Sequence, residues 1–267
     1  MNALPHITII VLNWNGRSYL DACLTALSKL DYPNYNIVLV DNASTDDSLS
    51  LVTQQFPQVQ IVQNRRNLGY AGGNNGALRD LASEFAVLVN PDIVVSNDWL
   101  AELITPLIAD QSIAIAGCKL YYPGGEFLQH AGGSIRHPRA MPQHRGARET
   151  DKNQFDSLCD VDYVTGAAMA IRDTALRKIG LFDEGYFMYF EEVDYCTRAK
   201  AAGFRVVYVP KATAVHDESA MAVRGSYDYL ERFHSGRWRY LLKHFVPDDI
   251  IRATFPAEAQ WLASLRG

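Results

Sequence analysis

Apolar residues in the first hundred positions follow two alternating rhythms. Ile7 to Leu12 is a continuous β-branched and apolar run, the pattern of a strand covered on both faces. Leu20, Leu24, Leu27 and Leu30 then recur at helical spacing. Tyr35 to Val40 predicts a second strand, and Ser44 a cap for a helix starting near Thr45, with Asp46 and Asp47 in its first turn. Val59 to Val62 predicts a third strand, Ala71 to Ala82 a helix opened by glycines, and Phe85 to Val89 a fourth strand. Asp98 to Ile108 predicts a helix that Pro106 bends. Strand and helix in alternation imply an α/β fold, with a mostly parallel sheet and helices on both faces.

The rhythm breaks after Ile113 to Leu120. Tyr122 to Gln154 is rich in glycine and proline and has little apolar periodicity, so it reads as a long loop. Its Arg136, Arg139, Arg145 and Arg148 offset Glu126, Glu149 and Asp151. Ordering around an acceptor and a solvated connector are equal readings of it. Strand-like sequence returns at Tyr163 to Ile171, helical sequence at Glu191 to Ala202, and strand at Val206 to Val209. Tyr227 to Phe245 is amphipathic, with a break expected at Ser235-Gly236.

Composition narrows the class. The net charge of −5 argues against a general nucleic-acid binder. No window approaches the ~18 apolar residues of a membrane span, and Met1 to His6 lacks a secretory pattern. Cys23, Cys118, Cys159 and Cys196 form no C-x-x-C pair and read as reduced, buried thiols, so a cytoplasmic location is expected.

Ligands of an open parallel sheet bind beyond the carboxyl ends of its strands. Four polar clusters fall there: Asn13-Trp14-Asn15-Gly16, Asp41-Asn42-Ala43-Ser44, Asn64 to Asn75, and Asn90-Pro91-Asp92. Each alone is ordinary turn chemistry; their coincidence on one sheet edge is not. Asn67 to Gly76 holds four glycines, whose exposed amides would suit a diphosphate at a helix start. The run is neither a dinucleotide fingerprint nor a P-loop. Asp92, directly after a strand, suits a hard divalent cation. Glu191-Glu192-Val193-Asp194 sets three acids in one helical turn, after the aromatic stretch Phe182 to Phe190. Acids in a first turn need no chemistry, but aromatic neighbours could wall a sugar and desolvate a carboxylate. His216 joins a metal site only if it converges on Asp92.

Together these segments resemble the inverting family 2 glycosyltransferases and are similar to their bacterial rhamnosyltransferase-like branch. The matching pieces are Val11 to Gly16, Val40 to Asp46, Asn67 to Gly76, Asn90 to Ile93, Thr165 to Met169, and Gly180 through Asp194, with His216 beyond. The resemblance spans about residues 5 to 220, in family order.

It implies a GT-A fold, with a nucleotide-sugar-binding half over about 1–112, an acceptor-binding half over about 113–220, and a C-terminal helical extension over 221–267. It implies sugar transfer from a nucleotide-diphosphate donor to a saccharide hydroxyl in cell-surface polysaccharide biosynthesis. The branch favours dTDP-rhamnose, with UDP-sugars open, and an acceptor that can be lipid-linked. Asn13, Asp41, Asn67, Gly69, Gly72, Gly73, Asn74, Asn90 and Asp92 are the implied donor contacts, with Asp41 at the base. Asp92 and His216 are the implied ligands of Mg²⁺ or Mn²⁺. Glu192 stands where the family's catalytic aspartate falls, and Asn90 replaces the first carboxylate of its metal motif. Glu191 and Asp194 compete with Glu192 for the catalytic role. A sugar nucleotidyltransferase and a binding protein without turnover are the alternatives. Arg224, Arg232, Arg237, Arg239 and Lys243, interleaved with aromatics, allow either packing on the catalytic domain or contact with the anionic inner face of the cell membrane.

Overall fold

A computed structural model describes residues 4–218 and 225–264. The first half contains β1 (Ile7–Asn13), α1 (Arg17–Leu27), β2 (Tyr35–Asp41), α2 (Ser48–Gln55), β3 (Gln60–Gln63), α3 (Gly69–Leu78), β4 (Phe85–Val89), β5 (Ile93–Val95) and α4 (Trp99–Ala109). Then come β6 (Ile113–Tyr121), β7 (Leu128–His130), β8 (Gly133–Arg136), β9 (Met141–His144), β10 (Cys159–Asp160) and β11 (Ala168–Arg172). The chain continues through α5 (Asp173–Ile179), α6 (Glu191–Ala201), β12 (Arg205–His216) and α7 (Tyr227–His244). A short turn, α8 (Pro247–Asp249), a π-helical segment (Ile250–Thr254) and α9 (Phe255–Ser264) follow.

The main sheet runs β10-β12-β6-β11-β4-β1-β2-β3. β3, β2, β1 and β4 are parallel neighbours, and β12 is parallel to β6. β11 is antiparallel to both β4 and β6, so it reverses the sheet at its centre. The continuous apolar strands are explained by two cores. Ile7, Ile9 and Val11 face Leu20, Leu24 and Leu27 of α1 and Trp99 of α4 on one side. Ile10 and Leu12 face α3 and α6 on the other. β1 sits between β2 and β4, so the chain leaves it in one direction and returns on its other side. That is the switch point at which open α/β sheets open a crevice.

Four local expectations change. Ser44 caps no helix: its hydroxyl accepts from Asn13 Nδ2 and the Asn15 amide, and α2 starts at Ser48. Tyr163 to Ile171 forms a strand only over Ala168–Arg172. Ser235-Gly236 does not break α7, because Gly236 lets the helix lie against the chain: a Cβ there would sit 2.8 Å from the Tyr189 carbonyl oxygen. Nor is Tyr122 to Gln154 a plain loop. β7 joins the main sheet beside β6, and β8 and β9 form a hairpin. Arg139 ties that hairpin to α9, pairing with Glu258 at 2.7 Å and lying 4.1 Å over the Trp261 ring. Helical periodicity could not reveal strands of three or four residues paired across the chain.

Candidate active site

At the switch point, side-chain amides fasten the strand ends together. Asn13 is fully buried; its Nδ2 donates to Asp41 Oδ1 at 3.2 Å, and its Oδ1 accepts from the Gly16 amide. Asp41 is also buried and accepts from the Ser44 amide at 3.1 Å. Asn42, which the sequence did not single out as a site residue, organises the glycine segment. Its Nδ2 donates to Asn67 Oδ1 and the Gly69 carbonyl, while its Oδ1 accepts from Asn64 Nδ2 and the Leu68 amide. A turn signal was visible there, but its pairing across 25 residues was not.

The glycines have a packing role. The first two amides of α3 are occupied: Gly69 donates to Asn67 Oδ1 and Tyr70 to the Phe187 carbonyl. Gly69 has φ +70°, and a Cβ would fall 2.1 Å from the Phe187 oxygen. A Cβ at Gly73 would meet Leu12 Cδ1 at 2.5 Å, and one at Gly72 would meet Leu68 Cβ at 2.9 Å. These glycines let α3 lie close on β1 and let the chain before α6 lie close on α3. Asn74 is buried, donating to the Tyr70 carbonyl. Gly72, Gly73 and Asn74, expected as donor contacts, are buried and closely packed here.

A cleft of ≈ 230 Å³ opens in front of these strand ends. Asn67, Gly69, Asn90 and Asp92 line it from the first half, and Glu191, Glu192 and His216 from the second. Asn13, Asp41, Gly72, Gly73 and Asn74 do not line it. Trp14 stands at the cleft, 41% exposed. The register of β5 against β12 pairs His216 with Ile93, next to Asp92. His216 Nε2 consequently lies 3.3 Å from Asp92 Oδ1, a buried oxygen that accepts no hydrogen bond.

α6 presents its acids in opposite directions. Glu191 and Glu192 enter the cleft. Burial, then the charge of Glu192, pushes the Glu191 carboxyl well up, and its Oε2 has no partner. Burial also raises Glu192 to about 7, against the opposing pull of the amides of Glu192 and Val193. Asp194 turns away from the cleft and is sealed by Arg198, Lys243 and His244, each at 2.8 Å. Burial alone would raise its carboxyl, but hydrogen bonds from His244, Lys243 and Arg198 hold it low. As a catalytic candidate Asp194 is thus corrected to an ion-pair anchor, because it faces α7 and not the cleft.

Tyr189 and Phe190, immediately before α6, both have φ +72°, a conformation that costs roughly 1–3 kcal/mol per residue unless its surroundings enforce it. Tyr229 and Phe233 of α7 pack on Tyr189, and Phe233 also on Phe190, with centroids 5.1–6.3 Å apart. Both α7 rings also line the cleft. The basic residues of α7, which the sequence leaves open between packing and membrane contact, have partners within the fold, although Arg232 and Arg239 remain exposed. Arg237 pairs with Glu258, Arg239 and Lys243 pair with Asp183, and Arg232 covers Phe187. Arg224 lies outside the described residues. No helix among the described residues is long and apolar enough to cross a membrane.

A switch-point crevice with a carboxylate–imidazole pair on one side and raised carboxylates facing it is where an α/β enzyme of this architecture would bind its ligand. The model of the glycosyltransferase-like family 2 matches residues 5–240, and the chain belongs to that family. It is 24% identical over 275 residues to the N-acetylglucosaminyl-diphospho-decaprenol L-rhamnosyltransferase of Mycobacterium tuberculosis, covering 89% of this chain and 88% of that one. It is 28% identical over 232 residues to the rhamnosyltransferase WbbL of Escherichia coli, covering 79% and 83%. A Sinorhizobium fredii protein is 29% identical over 249 residues, 87% of this chain but 26% of its own length. Among solved structures, GalNAc-T7 with UDP, GalNAc and Mn²⁺ superimposes with TM-score 0.71 at 15% identity, covering 90% of this chain and 48% of that one.

Proposed function

We propose that this glycosyltransferase moves a deoxyhexose, rhamnose, from dTDP-rhamnose to a hydroxyl of a lipid-linked saccharide, with inversion, during cell-surface polysaccharide assembly. The two rhamnosyltransferase relatives, matched over most of their lengths, support the sugar, and the decaprenol-linked name of one supports the acceptor class. In this reading residues 1–112 hold the donor and 113–220 the acceptor. Asn67, Gly69, Asn90 and Asp92 face the donor, and Asn13 and Asp41 shape the wall behind it.

The observation that carries the mechanism is Glu192, a half-buried carboxylate in the cleft whose proton affinity burial lifts to about 7. A base with that affinity is matched to taking a proton near neutral pH. Glu192 accepts the proton of the acceptor hydroxyl as that oxygen attacks the anomeric carbon. The bond to the diphosphate breaks on the opposite face, through an oxocarbenium-like transition state. Burial and the neighbouring Glu192 charge push the Glu191 carboxyl well up, so Glu191 is the less ready of the two to carry charge and Glu192 serves as the base. Tyr189, Phe190, Tyr229 and Phe233 exclude water from that side.

A divalent cation fits the facing Asp92 Oδ1 and His216 Nε2, since an unsatisfied carboxylate oxygen and an imidazole nitrogen suit Mn²⁺ or Mg²⁺. Among the described residues no third His, Cys, Asp or Glu completes a protein-only cage, which suits an ion shared with substrate oxygens. When bound, it would neutralise charge on the departing diphosphate. The test is release of nucleoside diphosphate from dTDP-rhamnose and from UDP-sugars, with Mn²⁺ or Mg²⁺. Asp92→Ala should remove turnover while the melting curve is retained. Pyrophosphate released from a nucleoside triphosphate would instead indicate a nucleotidyltransferase, and no turnover with any donor would indicate a binding protein.

A further inference from the structure

Behind His216 lies a residue that neither the family motifs nor the comparisons single out. Gln129 sits on β7, 3% exposed, in the one short strand of the glycine-rich region that joins the main sheet. Its Oε1 lies 2.7 Å from His216 Nδ1. Its Nε2 lies 3.4 Å from both the His216 carbonyl and Glu218 Oε2. Two acceptors on one side require the amide nitrogen there, which fixes the side chain's orientation without appeal to the imidazole. The oxygen is then the group facing Nδ1, so Nδ1 carries the hydrogen. Nε2 is then the ring nitrogen turned to Asp92 Oδ1, 3.3 Å away. A nitrogen and a buried carboxylate oxygen without a hydrogen bond, so placed, can share a proton or a divalent cation.

We propose that Gln129 is a positioning residue for the divalent-cation site: it selects the His216 tautomer and holds the ring so that Nε2 and Asp92 face one ion. The inference rests on the cation reading of Asp92 and His216. Partners behind a ligating histidine commonly contribute about 10- to 100-fold in metal affinity. Gln129 adds a second function, because its amide also anchors the chain just after β12, where His216 emerges.

The experiment measures Mn²⁺ binding to the intact protein by electron paramagnetic resonance of free Mn²⁺, with and without dTDP, and needs no turnover. Gln129→Leu, which keeps bulk but removes the acceptor, should weaken Mn²⁺ about 10- to 100-fold with an unchanged melting curve of the metal-free protein. Gln129→Glu, which keeps an oxygen toward Nδ1, should bind within a few-fold of the parent or more tightly. His216→Ala gives the limit that Gln129→Leu approaches. If Gln129→Leu binds Mn²⁺ like the parent, Gln129 is packing only and the inference falls while the cation site stands. If Leu and Glu variants lose affinity equally, the acceptor is not what matters and the inference also falls. If the parent binds no Mn²⁺ even with dTDP, the cation reading itself fails.

Discussion

Replacing Glu192 with glutamine should produce two opposite effects at once. The side chain keeps its shape but can no longer take a proton, so kcat should fall by about 10²–10⁴ with little change in donor affinity. The same change should stabilise the fold. Burial raises the Glu192 carboxyl from an ordinary 4.5 to about 7. The folded protein therefore binds this proton more tightly than the unfolded chain does. Stability from this group is then highest below 4.5, falls as pH rises, and levels off above about 7. The gap corresponds to about 3 kcal/mol at pH 8, and glutamine, neutral throughout, escapes that cost. At about 2–4 °C per kcal/mol for chains near this size, Tm should rise by several degrees at pH 8 and hardly at pH 4.5. In the parent, kcat/KM should climb about tenfold from pH 6 to pH 8, as expected for a free-enzyme base titrating near 7. Thermal melts at the two pH values, alongside nucleoside diphosphate release, read both effects. A flat kcat/KM across that range, or a variant that keeps turnover within a few-fold, would refute Glu192 as the base.

Two further substitutions separate packing from chemistry. Asp194→Asn should lower Tm strongly, by about 3–5 kcal/mol of stability, since Arg198 and Lys243 lose a buried carboxylate partner and His244 a hydrogen-bond partner. Turnover well below the new Tm should stay within a few-fold, and a dead but well-folded variant would return Asp194 to the chemistry. Gly69→Ala meets a backbone oxygen at 2.1 Å with φ +70° and should cost both stability and kcat by displacing the chain that leads to Glu191. By contrast, Gly76→Ala, whose new Cβ finds only Asn64 Oδ1 at 3.9 Å, should be neutral or stabilising by up to about 1 kcal/mol. Equal melts for these two glycine variants would contradict the packing account.

The parallel half of the sheet is readable in the sequence because its strands are covered on both faces. A run such as Ile7 to Leu12, apolar at every position, would leave one face wet and greasy in any strand covered on one side only. Leu20, Leu24 and Leu27 likewise mark the buried stripe of α1, and all three are fully buried. The placement of Asp92 beside His216 was conditional in the sequence, since 124 positions separate them and only the β5–β12 register joins them. Glu191 and Glu192 were distinguishable from Asp194 only through what lies across from each. Helical spacing puts Glu191 and Asp194 on one face, yet Glu191 and Glu192 share the cleft, because the turn at Tyr189-Phe190 sets how α6 enters. The packing role of the glycines was hidden for a related reason. Glycines that open a helix can serve a ligand or a close neighbour, and the neighbours, Leu12 and Phe187, belong to segments distant in sequence.

The position of α7 explains why a strained turn can precede the two cleft acids. Tyr189 and Phe190 hold a conformation that non-glycine residues avoid, and nothing within α6 compensates for it. Compensation comes from outside: Gly236 brings the α7 backbone against the Tyr189 carbonyl, Phe233 fills the space between the two rings, and Tyr240 closes on Phe190. The charges act on the same joint. Lys243 bridges Asp183, before the turn, and Asp194, after it, with both contacts at 2.8 Å. The turn is thereby held at both ends by one helix. A charge interleaved with aromatics, which in a linear reading resembles a membrane-facing stripe, is what a helix needs when it must grip a strained turn and two flanking carboxylates. Glu192 acquires its raised proton affinity from burial in the cleft that this clamp closes on one side, so α7 belongs to the working parts of the site.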